Sequence, residues 1–150
     1  MIPNYGTTNP LVTEEDLHDH ESIADVIHRN DMILLFKHIK YGWWTLPIGK
    51  VKTGETPEES LFVELKEELD IIPVKFSKVS QFTKSYDRGN DIITKVTCHI
   101  FDIESYEGET KNMEKDKHQW MLWGQCPKTV KDLLPDLSDA TKYYIGESIA

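Results

Sequence analysis

The sequence predicts a single domain of the α+β class, built from short strands that flank one strongly signalled helix. The first observation is length, because 150 residues is typical of one domain and provides enough chain to bury a core. The second is composition, since 39% hydrophobic and 29% charged residues fit a globular chain rather than a disordered or collagen-like one. The third is the order of the elements along the chain. We place an N-terminal arm at residues 1–20 and the domain at residues 21–150.

Two paired strands are predicted ahead of the helix. The start of the chain, residues 1–12, is rich in Asn, Thr, Gly and Pro, which is typical of a loose tail or of an arm held against the surface. Apolar residues then become dense over residues 23–27 and again over residues 32–36. Residues 29–31 between them are typical of a turn, so the two segments are expected to pair as strands.

A hairpin and a polar loop are predicted after the helix. Residues 74–81 alternate as in a strand, and residues 92–103 form a long run rich in β-branched side chains. Residues 87–91 between them are turn residues, so these two strands are also expected to pair. Residues 104–118 are polar and charged and are expected to form a loop.

The last two predicted elements are a short strand and a helix. The strand carries Trp120 and Trp123. The helix covers residues 137–145, and Ser138 is its predicted N-cap because a serine hydroxyl accepts a hydrogen bond from a free amide of the first turn.

The helix between the two hairpins has the clearest start signal in the chain. Thr56 is a favourable N-cap, Pro57 suits the first helical position, and Glu59 completes a capping box. At about 100° per residue, the apolar side chains that follow fall on one face. These residues are Leu61, Phe62, Leu65 and Leu69.

Three carboxylates, Glu64, Glu67 and Glu68, form an acidic arc beside that apolar face. A run of charge on a helix is usually a solvated face. However, Glu64 and Glu68 are like charges four residues apart, which destabilises a helix unless a cation lies between them. Hard divalent cations such as Mg²⁺ bind carboxylate oxygens and leave positions for water and substrate phosphates. The arc therefore fits the metal site of a phosphate-processing enzyme, with a solvated face as the alternative.

The helix and the loop before it resemble the Nudix box. That pattern is Gly-x5-Glu-x7-Arg-Glu-U-x-Glu-Glu-x-Gly-U, in which U is a bulky aliphatic residue. Here Gly49, Glu55 and residues 63–71 supply seven of the nine defined positions, and residues 44–51 are similar to the segment that usually precedes the box. The chain is therefore identified as a member of the Nudix hydrolase family. The resemblance implies an α-β-α sandwich, with a mixed β-sheet between helices, over roughly residues 20–145.

The resemblance also implies a reaction and its metal. Nudix enzymes hydrolyse the diphosphate linkage of nucleoside diphosphate-linked compounds, with Mg²⁺ or Mn²⁺ holding the phosphates. One of the box carboxylates can help to deprotonate the attacking water. Bound cations suit a chain of net charge −9, since they reverse the local field for a polyphosphate. Matched by position, the implied metal ligands are the carbonyl of Gly49 and the side chains of Glu64, Glu67 and Glu68.

Two residues depart from the pattern. Val63 stands where the family has Arg, so it cannot donate the charge-assisted hydrogen bonds that orient neighbouring glutamates; Lys50 or Lys52 is a candidate substitute. Asp70 replaces Gly at the helix end, a mild change because Asp tolerates a left-handed backbone. Val63 leaves open a second function, a catalytically weak Nudix-fold module that binds a nucleotide. A third alternative is an acidic domain that binds a protein partner.

Candidate site residues outside the box are less strongly indicated. Glu114 is the first candidate for an additional catalytic carboxylate and Asp116 the second, with an exposed polar loop as the alternative. Lys50, Trp43 and Trp120 are the predicted substrate contacts, although a lone aromatic residue more often belongs to a core. The substrate class stays open between nucleoside triphosphates, ADP-ribose and dinucleoside polyphosphates. Further aromatic residues that could stack on a purine are Trp44, Phe82 and Tyr86.

Charge and cysteine usage bound the partners and the compartment. A net charge of −9 disfavours duplex nucleic acid and anionic membranes, and no apolar run approaches the ~20 residues that span a bilayer. Cys98 and Cys126 have no second ligand at close metal-binding spacing, so we expect reduced, structural thiols in a cytoplasmic protein. The expected partner is a small-molecule nucleotide substrate, and the aromatic content permits a homodimer.

Overall fold

The computed structural model describes residues 5–149, without the side chain of Trp120. Residues 1–4 of the predicted arm and residue 150 of the predicted domain lie outside the described residues. The elements in chain order are α1 (Glu14–Leu17), β1 (His20–Arg29), β2 (Met32–His38), β3 (Trp44–Thr45), β4 (Ile48–Lys50), α2 (Pro57–Leu69), β5 (Ile72–Gly89), β6 (Ile92–Glu107), β7 (His118–Gln125), α3 (Lys128–Lys131) and α4 (Asp139–Tyr144).

The strands form one mixed sheet of seven strands with β1 near its centre. Strand β1 pairs antiparallel with β2 and with β4, and parallel with β6. Strands β5 and β6 form the long antiparallel hairpin that the turn residues predict. This mixed sheet flanked by helices confirms the fold class expected from the resemblance.

Two hydrophobic cores lie on opposite faces of the sheet, because side chains alternate along β1. Ile23 and Ile27 pack against α2 in one core, and Ala24 and Val26 pack towards α3 and α4 in the other. A strand that is buried on both faces carries a nearly continuous apolar run. Asp25 interrupts that run and lies on the same face as Ile23 and Ile27.

Helix α2 begins and ends where its sequence signals predict. The Thr56 hydroxyl accepts a hydrogen bond from the Glu59 amide at 3.2 Å, and the Glu59 carboxylate accepts one from the Thr56 amide at 3.4 Å. At the other end Asp70 adopts a left-handed conformation with φ 58° and ψ 40°. The left-handed residue stops the helix and directs the chain into β5, as glycine does in other helix ends.

The predicted loop over residues 104–118 is shorter than expected. Strand β6 continues to Glu107, which pairs with Ile72 at the start of β5. The expectation fails because backbone hydrogen bonding extends the ladder, while the polar side chains of Glu104 and Ser105 are exposed. The short strand with Trp120 and Trp123 and the helix capped by Ser138 are both confirmed.

Residues 5–19 are held against the hairpin by a buried arginine. Arg88 donates from Nη1 to the carbonyl of Tyr5 at 2.8 Å and from Nη2 to the carbonyl of Asp16 at 3.0 Å. The Thr7 amide donates in return to the carbonyl of Arg88 at 2.7 Å. These contacts hold Tyr5 beside the β5–β6 hairpin. Cys98 and Cys126 are both free, and no helix within residues 5–149 has the length and apolar character to cross a bilayer.

Candidate active site

The carboxylates of the acidic arc of α2 differ in how deeply they are buried. Glu67 points outwards, with its side chain 53% exposed, whereas Glu68 is only 3% exposed. Burial raises the pKa of Glu68 well above its usual range, and the neighbouring Glu64 carboxylate raises it further. Burial also raises the pKa of Glu64. A hydrogen bond with Glu68 lowers this pKa, and the Glu67 carboxylate raises it. The arc therefore stores electrostatic repulsion that a proton or a cation relieves.

Glu114 joins this arc from the loop between β6 and β7. The loop is fastened to the end of α2, because the Met113 amide donates to the carbonyl of Glu68 at 3.0 Å. Glu114 raises the pKa of both Glu64 and Glu68, and it pairs with Lys117 at 3.0 Å. The structure thus brings the first predicted loop carboxylate to the arc. Asp116, the second candidate, is exposed.

Gly49 is needed at its position for steric reasons. Strand β4 pairs with β1 so that Gly49 lies opposite Ile23, and the backbone of β4 runs beside α2. A Cβ atom added to Gly49 would lie 2.5 Å from Oε2 of Glu64, which is a severe overlap. A larger residue at this position would force the Glu64 side chain to move away from the strand. The Gly49 backbone and Glu64 are therefore neighbours in the fold, as the box pattern implies.

Glu55, the remaining acidic residue of the box, shapes the loop that precedes α2. Its carboxylate accepts a hydrogen bond from the Ser60 hydroxyl at 2.7 Å. The same hydroxyl accepts one from the Lys52 amide at 3.2 Å. Glu55 thus ties the loop to the first turns of the helix and does not face the acidic arc through these bonds.

The two lysines offered as substitutes for the family arginine differ in their partners. Lys50 forms a 2.5 Å ion pair with Asp16, so it is engaged on another side of the sheet. Lys52 lies 3.9 Å from Glu67, and both side chains are more than half exposed. An exposed pair at this distance is weak. Of the two candidates, Lys52 is the one close to the arc, and Val63 itself is half-buried.

A cavity of about 150 Å³ opens beside Gly49, and aromatic rings line it. Tyr5 is central among these rings, with centroids 5.2 Å from Trp43, 4.9 Å from Tyr86 and 5.5 Å from Tyr41. Trp43 is buried, and its indole Nε1 has no hydrogen-bond partner. Such a cavity offers aromatic surfaces to a flat ligand.

Ionic groups line the same cavity. Asp16 is buried and accepts from Lys40 at 2.9 Å and from Lys50 at 2.5 Å. Although burial raises the pKa of Asp16, these two ammonium groups outweigh it and hold the pKa below its usual range. Burial lowers the pKa of His38 to about 4, so this imidazole is neutral at pH 7. The cavity wall therefore holds one carboxylate, paired with two lysines, and a further cation, Arg88.

Two of the three predicted substrate contacts line the cavity. Trp43 and Lys50 both line the cavity. Trp120 pairs through its backbone with Lys37, and its side chain lies outside the described part of the chain. Among the further aromatic candidates, Tyr86 lines the cavity, whereas Trp44 and Phe82 pack against the second core.

Sequence reasoning missed two groups of residues. Asp25 is fully buried and raises the pKa of Glu68, and Tyr5, Tyr41 and Arg88 line the cavity. A signal for Asp25 existed, since it is the one acid within the apolar run of residues 23–27. Nothing local marks Tyr5 or Arg88, because they meet only through the tertiary fold. Within residues 5–149, no three Asp, Glu, His or Cys side chains converge closely enough to hold a metal ion in the present arrangement.

The NUDIX domain model matches residues 19–140 of this chain. The chain belongs to the Nudix family. It is 30% identical over 96 residues to the uncharacterized Nudix hydrolase YvcI of Bacillus subtilis. This match covers 63% of this chain and 61% of that protein. It is 34% identical over 76 residues to the 8-oxo-dGTP diphosphatase of Escherichia coli, covering 50% and 54%. The matches thus span less than two thirds of these relatives.

Solved structures of Nudix proteins share the fold. A MutT NUDIX hydrolase from Burkholderia pseudomallei superposes with a TM-score of 0.70 at 26% identity, covering 85% of this chain and 96% of that one. The MutT protein from Bacillus halodurans gives 0.69 at 21% identity, covering 84% and 79%. These likenesses confirm the mixed sheet flanked by helices as a Nudix fold.

Proposed function

We propose that this chain is a divalent-metal-dependent pyrophosphohydrolase that cleaves the diphosphate linkage of a nucleoside diphosphate-linked compound. The observation that carries the proposal is the acidic cluster of Glu64, Glu68 and Glu114. In it Glu68 and Glu114 keep buried oxygens without partners, and Glu64 lies against Gly49, which also lines the aromatic cavity. Acidic oxygens and a stacking surface are the two parts that hydrolysis of a nucleotide anhydride needs. The NUDIX family assignment supports the same reaction class.

The acidic residues fit Mg²⁺ or Mn²⁺. Oε2 of Glu68 and Oε1 of Glu114 are buried and have no hydrogen-bond partner in the structure. A buried carboxylate oxygen without a partner is costly, and hard divalent cations prefer oxygen ligands of this type. When bound, the metal supplies charge screening at the phosphates and lowers the pKa of water. The residues that would hold it are Gly49, through its carbonyl, and Glu64, Glu67 and Glu68.

The carboxylates divide the remaining work. Glu64 is half-buried with a raised pKa, so it is the residue suited to accept a proton from the attacking water. Glu114, which forms an ion pair with Lys117, contributes a carboxylate from the loop between β6 and β7. We propose that the rings of Tyr5 and Trp43, which line a cavity together with Gly49, receive the base, and that Lys50 in the same cavity contacts the phosphates.

Nucleoside triphosphates are the substrate class we favour. The 34% identical Escherichia coli relative is named as an 8-oxo-dGTP diphosphatase, and a 37% identical Acinetobacter baylyi relative as an RNA pyrophosphohydrolase. Both names describe hydrolysis at a phosphate anhydride. A screen of nucleoside triphosphates, ADP-ribose, dinucleoside polyphosphates, NADH and FAD, with each metal and with products identified, decides between the classes.

Two isosteric substitutions test the reaction. We expect Glu64→Gln and Glu68→Gln each to lower Mg²⁺-dependent turnover by about a hundredfold or more, because each removes a charge from the metal-binding arc. Glu58→Gln is the matched control, since Glu58 is exposed in the first turn of the same helix and should leave turnover unchanged. Unchanged turnover in both test variants would eliminate the enzyme proposal.

The second candidate is a nucleotide-binding module with little catalysis. It is favoured by Val63, which donates no hydrogen bond to the glutamates where the family has an arginine. The lysines near the arc are Lys52, 3.9 Å from Glu67, and Lys117, which pairs with Glu114. This candidate requires that a nucleotide binds tightly while no product forms on long incubation with either metal. Product formation at any substantial rate rejects it.

A further inference from the structure

Asp25 is a buried acid without a counter-charge. Its side chain is fully buried in β1, and neither Oδ1 nor Oδ2 has a hydrogen-bond partner. It lies between Ile23 and Ile27 on the face that packs against α2, where an apolar side chain would otherwise complete the core. A carboxylate at such a position weakens folding, because burying it without a partner costs free energy. Its presence therefore indicates a function.

The other buried acids show that this fold normally pairs such groups. Within residues 5–149 the buried acidic residues are Asp16, Asp25, Glu68 and Asp139. Asp16 is paired with two lysines, and Asp139 accepts from Lys84 and from the Tyr86 hydroxyl, each at 2.8 Å. Of these four, Asp25 and Glu68 keep buried carboxylate oxygens without hydrogen-bond partners, as does the half-buried Glu114. Burial raises the pKa of both acids, and the Asp25 carboxylate raises that of Glu68 further, so the two groups lie within electrostatic range of each other.

The backbone of Asp25 places it at the corner where the site is built. Its amide donates to the carbonyl of Pro47 at 2.9 Å, and the adjacent Ala24 pairs with Ile48. Strand β4 then continues directly to Gly49, whose backbone adjoins Glu64. Asp25 therefore faces α2 from the sheet, whereas the box residues lie on the helix and its preceding loop.

We propose that Asp25 is a positioning residue of the divalent-cation site, and that its negative charge adds to that of Glu64, Glu68 and Glu114 in binding Mg²⁺ or Mn²⁺. The proposal rests on the metal dependence proposed above. Asp25 is not part of the Nudix pattern, so it is an addition to the box in this chain. In the absence of a cation, burial and then the Glu64 carboxylate raise the pKa of Asp25 well above its usual range, so ionising this group costs the fold free energy.

Asp25→Asn tests the charge while keeping the size of the side chain, and Asp25→Ala removes the polar group altogether. We expect each variant to weaken Mn²⁺ binding to the full-length protein, measured by calorimetric titration, by about tenfold or more. Without divalent cation, we expect Asp25→Ala to unfold at a temperature equal to or above that of the wild type. A purely structural carboxylate would behave in the opposite way, with lower stability and unchanged Mn²⁺ affinity.

Asp139→Asn is the matched control, because Asp139 is equally buried but paired. It should lower the unfolding temperature and leave the affinity for Mn²⁺ unchanged. Wild-type Mn²⁺ affinity in both Asp25 variants would overturn the role of Asp25, while loss of Mn²⁺ binding in Glu68→Gln would still support the proposed function. Failure of the wild-type protein to bind Mn²⁺ would overturn both.

Discussion

Two acidic regions of this molecule differ in whether their buried carboxylates are paired with cations. Around the aromatic cavity, each buried carboxylate is neutralised by lysines, as Asp16 is by Lys40 and Lys50. Beside α2, the carboxylates of Asp25 and Glu68 are buried without partners. The same chain can therefore supply counter-charges to buried carboxylates, yet Asp25 and Glu68 form no ion pair. We infer that the unpaired region keeps its oxygens available for a cation and that the paired region holds the fold together.

The largest expected effect breaks the paired region. Asp16→Asn removes a buried charge that two lysines and the Thr13 amide contact, so two cations lose their partner at once. Because those lysines are partly exposed, we expect a loss of about 2–3 kcal/mol in the free energy of unfolding, below the full cost of a broken buried pair. Urea titration measures this loss.

The matched control for Asp16→Asn is an exposed ion pair. Glu104→Gln removes the partner of Lys75, and both side chains are largely exposed. Its effect should stay below about 1 kcal/mol. Equal losses in the two variants would contradict the view that burial gives the Asp16 pairs their weight.

A second test uses pH, because the two regions should respond with opposite sign. The pKa of Asp16 is held below its usual 3.8, so its stabilisation is present above pH 3.8 and is lost as the pH falls through the lower folded pKa. The pKa of Glu68 is raised above its usual 4.5, so the folded state binds the extra proton there. Without divalent cation, stability from this group should fall as the pH rises above 4.5.

The wild type and Glu68→Gln, each with chelator, separate these contributions. Glu68→Gln should lose less stability than the wild type between pH 4.5 and neutrality, in thermal unfolding followed by circular dichroism. Saturating Mn²⁺ should reduce the difference between the two proteins. Parallel stability curves for the two proteins with chelator would show that the Glu68 carboxylate is not destabilised in the fold.

The smallest expected effect comes from adding a cation to the unpaired region. Val63→Arg restores the family residue beside Glu64 and Glu67, where it can donate charge-assisted hydrogen bonds. We expect turnover to be unchanged or to rise by a few-fold, with Val63→Met as a control of similar length and no charge. A large fall in turnover for the arginine variant alone would show that this site is organised around an uncharged residue.

Much of the site can be predicted from residues that are close together in the sequence. The capping box at Thr56, the apolar stripe of α2 and the acidic arc follow from spacings within one helix, where each turn repeats the same geometry. The box pattern also predicts the close approach of Gly49 to Glu64. Glu114 was predicted only as one of two choices in a polar loop, because loop residues carry no periodic signal.

The sequence by itself determined the helix, its caps, its carboxylates and the family to which they point, since all of these depend on residues a few positions apart. Only the tertiary structure decided which acids stay unpaired. Asp25 meets the arc because β1 packs under α2, and Tyr5 reaches Tyr86 because Arg88 holds the arm. Such contacts join residues distant in sequence, and their energies depend on burial that no local pattern specifies.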